Sequence, residues 1–194
     1  MSGTIDLVNR AKKGDTGAFE RLVEMHQRFV FNLAYRMMGN YDDACDVSQD
    51  AFLSAYKNMP GFKGNAQFST WLYAIVINTC RTWLKKRARR SEKEPFSLDD
   101  PGKKVRDGRR ITTPSGDKAI EDNLIKEDRT RIIRECINQL DREYREVVIL
   151  RDLQGFSYRE IGKILNIPSG TVKSRLFRGR DALKVVLKDI LEEC

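Results

Sequence analysis

One histidine, His26, stands among 194 residues, and the four cysteines, Cys45, Cys80, Cys136 and Cys194, are scattered with no CxxC pair. A zinc site needs clustered Cys and His ligands, so the expectation is no metal and no cofactor. The cysteines read instead as buried or semi-buried free thiols in a reducing compartment. No apolar run reaches the length that crosses a bilayer, and the N-terminus lacks a secretory signal pattern. The expected setting is the cytoplasm, without membrane insertion. The acids are dispersed and there is no phosphate-binding glycine loop, so no catalytic constellation forms and no enzyme is expected. There is no internal repeat, and no stretch predicts a strand of consequence. The fold class expected is all-α.

What is abundant is positive charge. Lys and Arg number 36 against 28 Asp and Glu, a net charge of +8. Such an excess favours phosphate backbones through counterion release. By itself it does not separate DNA from RNA or from an anionic membrane surface.

Apolar residues recur at threes and fours along most of the chain. Ile5 to Lys13 reads as a short amphipathic helix broken at Gly14-Asp15. Asp15 or Thr16 then caps a helix to about Met38, ended by the left-handed turn signal Gly39-Asn40. Asp42 and Asp43 start a third helix, Ala44 to Met59. Its outward residues Asp46, Gln49, Asp50, Tyr56 and Lys57 suit either a solvated face or a polar docking surface. Pro60 to Gln67 is a loop, after which Ser69 caps a helix carrying Trp71, Leu72, Tyr73, Ile75, Val76 and Ile77. That helix ends in Lys85-Lys86-Arg87-Ala88-Arg89-Arg90. Aromatics beside a basic helix end suit two roles. One is core packing with a snorkelling terminus that complements the helix dipole. The other is a stacking platform for unpaired bases.

From Ser91 to Lys118 the periodicity collapses into prolines, glycines and mixed charge. This predicts a flexible linker, residues 91–118, between two small helical domains at 1–90 and 119–194. Helices resume from Ala119 to Leu140, and Asp141 caps the next one.

The most informative stretch is Ser157 to Arg180. Ser157 and Glu160 have the spacing of a capping box, and Ile161, Ile164 and Leu165 form an apolar face. Gly162 is small where a second helix crosses, and Asn166 tolerates the left-handed turn that ends the first. Pro168 cannot continue the first helix, and Ser169 can cap the next. In that second helix Val172 and Leu176 face inward, leaving Lys173, Ser174, Phe177 and Arg178 on other faces. This is a helix-turn-helix whose second helix suits the DNA major groove.

Several blocks in order then resemble one family. They are Leu33 to Tyr56, Phe68 to Thr79, Gly155 to Gly162 and Pro168 to Arg180. They are similar to regions 2 and 4 of bacterial sigma-70 factors, and the short length resembles the extracytoplasmic-function (ECF, group IV) branch. The resemblance implies that the helix around Asp46, Gln49, Asp50 and Phe52 docks on the clamp coiled coil of the beta-prime subunit of core RNA polymerase, with the beta flap as a further contact. It implies that the loop with Phe62, Lys63, Gly64, Asn65 and Gln67 takes a flipped minus-ten base, and that Asn78 contacts the same element. It implies that Arg151, Lys173, Ser174, Phe177 and Arg178 meet the minus-thirty-five element. Chemically, Arg and Lys grip phosphates or read guanine, and Phe meets a thymine methyl. Trp71 then reads as a core anchor for the loop. Promoter DNA and an anti-sigma factor are the implied partners, and a stress response the implied setting. The competing reading is a regulator that binds DNA alone as a dimer. The N-terminal half shows no sensor-like α/β pattern to support it.

Overall fold

The computed structural model describes residues 2–93 and 132–192. Among these, every regular element is helical. The predicted linker beyond Lys93 and the predicted helix start at Ala119 lie outside the described residues, as does Cys194. The first body comprises α1 (Ser2–Lys12), α2 (Thr16–Met38), α3 (Tyr41–Asn58), a 3-10 turn (Met59–Gly61) and α4 (Phe68–Lys93). The second comprises α5 (132–139), α6 (Arg142–Val148), a π-helical turn (Ile149–Leu153), α7 (Tyr158–Leu165) and α8 (Ser169–Glu192).

Local chemistry sets most boundaries. Asp15 caps α2, its carboxylate accepting from the Ala18 N–H at 3.0 Å. Arg10 donates to the same carboxylate at 2.9 Å, which joins the ends of α1 and α2. The Ala18 N–H and Arg10 together hold the Asp15 carboxyl below its ordinary range. Gly39 ends α2 at φ 82° and its N–H returns to the Tyr35 carbonyl.

Several predicted boundaries move. α3 is capped by Asn40 rather than started by Asp42 and Asp43, and the Asn40 amide oxygen accepts from the Asp43 N–H at 2.8 Å. The two aspartates fall in its first turn, where they complement the helix dipole. α4 begins at Phe68, one residue before the expected Ser69 cap, with the Trp71 N–H bonded to the Gln67 carbonyl. It also runs three residues into the predicted linker, to Lys93. Asp141 sits at the cap position of α6 but its side chain makes no cap bond. Ser169 is the first residue of α8 rather than its cap, and the Val172 N–H returns to the Pro168 carbonyl.

The first core lies between α2, α3 and α4, where Leu22, Leu33, Val47, Leu72 and Ile77 are fully buried. The second is smaller, built from Val147, Ile149, Leu150, Ile161 and Val172. The two bodies touch. α7 packs on α4, and Phe156 from the turn before α7 sits against Phe29 and Tyr73 of the first body.

Candidate nucleic-acid and polymerase interface

The helix-turn-helix forms as its sequence requires. Ser157 and Glu160 make a reciprocal capping box, with the Ser157 N–H donating to the Glu160 carboxylate at 2.9 Å. The Ser157 hydroxyl donates to that carboxylate as well and holds the Glu160 carboxyl below its ordinary value. Asn166 ends α7 at φ 55°, in the left-handed region. A Cβ on Gly162 would stand 2.9 Å from the Ile167 carbonyl oxygen, so only glycine lets the turn fold this tightly. Val172 and Leu176 are buried, which fixes the rotation of α8 about its axis. That rotation leaves Lys173, Ser174, Phe177 and Arg178 exposed.

Phe177 is 75 % exposed, a large apolar ring facing solvent between two cations. Lys173 and Arg178 make no ion pair among the described residues, whereas the flanking arginines are occupied. Arg175 pairs with Glu143 at 2.6 Å and Arg180 with Asp152 at 2.5 Å. Those two therefore brace α8 against the rest of the second body. Arg151 is not part of the exposed group. It lies on the π-helical turn, donates to the Phe156 carbonyl at 2.9 Å and sits over the Tyr158 ring.

In the first body the outward face of α3 carries Asp46, Gln49 and Asp50, all exposed, with Leu53 57 % exposed beside them. Phe52 is half-buried and packs against the core. Asp50 accepts from the Trp83 indole N–H at 2.9 Å, a tie between α3 and α4 that sequence spacing did not show. A cleft of about 320 Å³ runs between these helices, lined in part by Asp50, Asn78 and Trp83. It places Asn78 and Asp50 on one shared surface.

The loop before α4 divides in two. Lys63, Gly64, Asn65 and Gln67 are exposed, and Gly64 adopts φ 74°. Phe62 is only 8 % exposed and packs on Trp71 and Phe68, ring centroids 5.0 and 6.1 Å away. Its ring is thus a support for the loop from below, with no free face for a base. Half-buried Trp71 packs in the same cluster with its ring tilted against Phe62 and Phe68, as expected of a loop anchor.

Residues 22–90 match the family model "Sigma-70 region 2", and residues 130–183 match "Sigma-70, region 4". The ECF RNA polymerase sigma factor SigW of Bacillus subtilis is 36 % identical over 189 residues, covering 94 % of this chain and 96 % of that protein. The chain belongs to the ECF RNA polymerase sigma factor family. Two further members of this family's neighbourhood are the RNA polymerase sigma-H factor of Pseudomonas aeruginosa and the ECF sigma-E factor of Haemophilus influenzae. Each is 33 % identical over 95 % or more of this chain and 95 % of the relative. Among solved structures, the sigma factor RpoE from Bartonella quintana, seen with the anti-sigma factor NepR, shares the fold. Its TM-score is 0.66 at 23 % identity, covering 88 % of this chain and 96 % of that one. CnrH, seen with the cytosolic domain of CnrY, has a TM-score of 0.64 at 24 % identity, covering 97 % and 99 %. Sigma factors are non-catalytic specificity subunits of transcription initiation. Among the described residues of this family member, no helix is long and apolar enough to cross a membrane.

The sequence reading missed Arg81, Trp83 and Glu146. Arg81 stands one helical turn after Asn78, and its guanidinium donates to the Asn78 amide oxygen at 3.3 Å. The i, i+3 spacing was visible. The glutamate it also holds, sixty-five positions on, was not.

Proposed function

We propose that this chain recruits core RNA polymerase to a two-part promoter and helps to open it. Residues 1–90 act as the region 2 domain and residues 119–194 as the region 4 domain, with 91–118 as a flexible tether. Asp46, Gln49, Asp50 and Phe52 contact the beta-prime clamp coiled coil, and region 4 contacts the beta flap. The exposed loop residues Lys63, Gly64, Asn65 and Gln67 take an extruded minus-ten base, with Phe62 beneath them and Asn78 reading an edge. A glycine in the left-handed region lets backbone groups approach that base without a Cβ in the way. Capture of the unpaired strand lets binding energy favour opening, so no covalent step is needed.

Lys173, Ser174, Phe177 and Arg178 enter the major groove at the minus-thirty-five element. Arg151 contributes from the margin of that surface, provided it leaves the Phe156 carbonyl. The observation that carries this reading is the exposed quartet on α8, held in place by a capped and tightly turned α7. The protein works in the cytoplasm, and an anti-sigma factor is its proposed inhibitor.

Run-off transcription tests the proposal. Core enzyme with this protein should initiate on promoters that core enzyme alone ignores. Tight promoter binding by the protein alone, without any effect on core enzyme, would favour the dimeric regulator instead.

A further inference from the structure

The cations of α8 are not equivalent. Val172, Leu176 and Gly179 are buried, so the opposite side of the helix faces solvent. Arg180 lies one turn beyond Phe177 and two turns beyond Lys173, on the side those two residues present. It is exposed, as they are. By position Arg180 belongs to the reading face. Arg175 does not, because it lies beside the buried stripe, is half-buried and is held by Glu143.

What sets Arg180 apart from Lys173 and Arg178 is its partner. Asp152 takes it in a fork, Nε donating to one carboxylate oxygen at 3.0 Å and a terminal nitrogen to the other at 2.5 Å. Two parallel charge-assisted bonds are the geometry in which arginine binds a carboxylate or a phosphate most firmly. Hydrogen bonding to Asp152 is the main reason that the Arg180 pKa stands above its ordinary value. The carboxylate thus occupies the edge of the guanidinium that a DNA phosphate would take.

The local backbone brings Asp152 there. Ile149–Leu153 is a π-helical turn, closed by the Gln154 N–H on the Ile149 carbonyl at 3.0 Å. Such wide turns recur at functional sites. Consecutive residues of this one are pinned differently, Arg151 on the Phe156 carbonyl and over the Tyr158 ring, Asp152 on Arg180. Folding stability alone is a poor account of the pair. The Arg180 and Asp152 side chains are 54 % and 32 % exposed, and ion pairs in water add little to stability. An acid on a DNA-facing surface also repels phosphates, which lowers the affinity that the cations create.

We propose that Arg180 is a further phosphate-gripping residue of the reading face and that Asp152 restrains it, setting how strongly the second body binds DNA of any sequence. The inference rests on the function proposed above, in which α8 enters the groove. A phosphate contact carries no sequence information and adds affinity everywhere on a duplex. With Asp152 on its fork, Arg180 contributes little to that background, and Lys173, Ser174, Phe177 and Arg178 supply a larger share of the binding. A phosphate that reaches Arg180 must displace the carboxylate and then stand beside it.

The test uses the full chain and a labelled DNA duplex of arbitrary sequence, with fluorescence anisotropy read over a series of salt concentrations. Asp152→Asn keeps the shape of the side chain and removes its charge. It should bind several-fold more tightly than wild type, and one more released counterion should steepen the slope of log K against log salt by about 0.9. Adding Arg180→Gln to Asp152→Asn should abolish the gain. If the gain persists in that double variant, the carboxylate acts through the general field of the surface and the proposal fails. It fails too if Asp152→Asn leaves affinity and slope unchanged, because Arg180 then meets no phosphate. Weaker binding by a folded Asp152→Asn would make the pair a brace that aims α8 and nothing more. Arg180→Lys carries the test should Asp152→Asn unfold, which circular dichroism would show. Lysine keeps the charge but cannot fork onto Asp152, so it should bind the duplex more tightly than wild type, and equal or weaker binding sinks the restraint. Run-off transcription separates this inference from the function it rests on. A chain that gives core enzyme no new initiation loses the proposed function, whereas an Arg180-dependent gain in Asp152→Asn still establishes the restraint. Initiation without that gain removes the restraint alone.

Discussion

The two bodies solve the same problem at different scales. The first packs long helices, α2 of 23 residues and α4 of 26, around a core of large aliphatic and aromatic side chains. The second packs α6 of 7 residues and α7 of 8 against one long helix, α8. Short helices have little intrinsic stability and depend on tertiary cover. The second body therefore relies on backbone devices: a capping box, a left-handed asparagine, and glycines where elements meet. It also borrows cover from its neighbour through Phe156 and Glu146. A reading head gains from this economy, since its few exposed side chains are aimed by backbone geometry rather than by bulk. The surfaces differ in kind as well. The first shows acid and amide groups on α3, the second an aromatic between free cations on α8.

The sharpest break in this comparison is made in the larger core. Leu72 is fully buried between the long helices, so Leu72→Ala should cost about 2–5 kcal/mol. Urea unfolding followed by circular dichroism measures it, and a loss under about 1 kcal/mol would show the first body to be less tightly packed than described.

Next comes the division of labour between the two surfaces. Arg178→Ala should weaken upstream duplex binding by about 1–3 kcal/mol and lower the salt dependence, leaving core polymerase affinity intact. Asn78→Ala should impair promoter opening, seen by permanganate reactivity of unpaired thymines, while recruitment persists. If Arg178→Ala lost polymerase affinity, the surfaces on α3 and α8 would not be separate; if Asn78→Ala opened promoters as wild type does, the minus-ten role given to Asn78 would fall.

A smaller effect is expected where α8 crosses α6. A Cβ on Gly179 would meet the Val148 methyl at 2.9 Å and the Tyr144 Cβ at 3.2 Å. Gly179→Ala gains about 1 kcal/mol in helix propensity but overpacks the crossing by about 1–3 kcal/mol. The net result should be a lower melting temperature and a displaced reading helix. Unchanged stability and DNA affinity would mean that the crossing has slack.

The smallest effect distinguishes the first body by pH. His26 is half-buried beside Phe68 and Tyr73, with Nδ1 3.3 Å from the Tyr73 hydroxyl. Burial pushes its pKa below the ordinary 6.5. The unfolded chain therefore takes up a proton that the folded chain refuses, and stability present above about pH 6.5 declines as pH falls through that range. Melting temperatures from about pH 8 to about pH 5.5 should fall less steeply in His26→Gln than in wild type. Parallel curves would exclude the histidine as the source. Glu160, whose carboxyl is depressed from an ordinary 4.5, contributes its own loss only at lower pH.

Much of this fold was legible before any coordinates. The all-α class, the helix-turn-helix, the turn at Gly39 and the inward positions Val172 and Leu176 all follow from spacing and capping chemistry. So does the exposed quartet on α8, because burying one stripe of a helix dictates which residues face out. The candidate site was less legible in the first body. Phe62 was expected at the DNA surface because it lies in the loop, yet two aromatics downstream draw its ring inward. The starts of α3, α4 and α8 each moved by a residue or more: the Asn40 side chain caps α3, and the backbone carbonyls of Gln67 and Pro168 take the first N–H returns of α4 and α8.

What the chain alone determined was everything governed by a few neighbouring residues: period, cap, left-handed turn and the outward face of each helix. Tertiary structure alone decided which distant groups meet. Asp50 takes the Trp83 indole, Phe156 fills the gap at Tyr73, and Glu146 finds Arg81 across 65 positions. The physical reason is that helical periodicity reports which side of a helix is buried, whereas the identity of what buries it depends on how whole helices cross. A glutamate inside an apolar run is unfavourable on its own terms, and only the opposing helix supplies the charge that makes its burial stable.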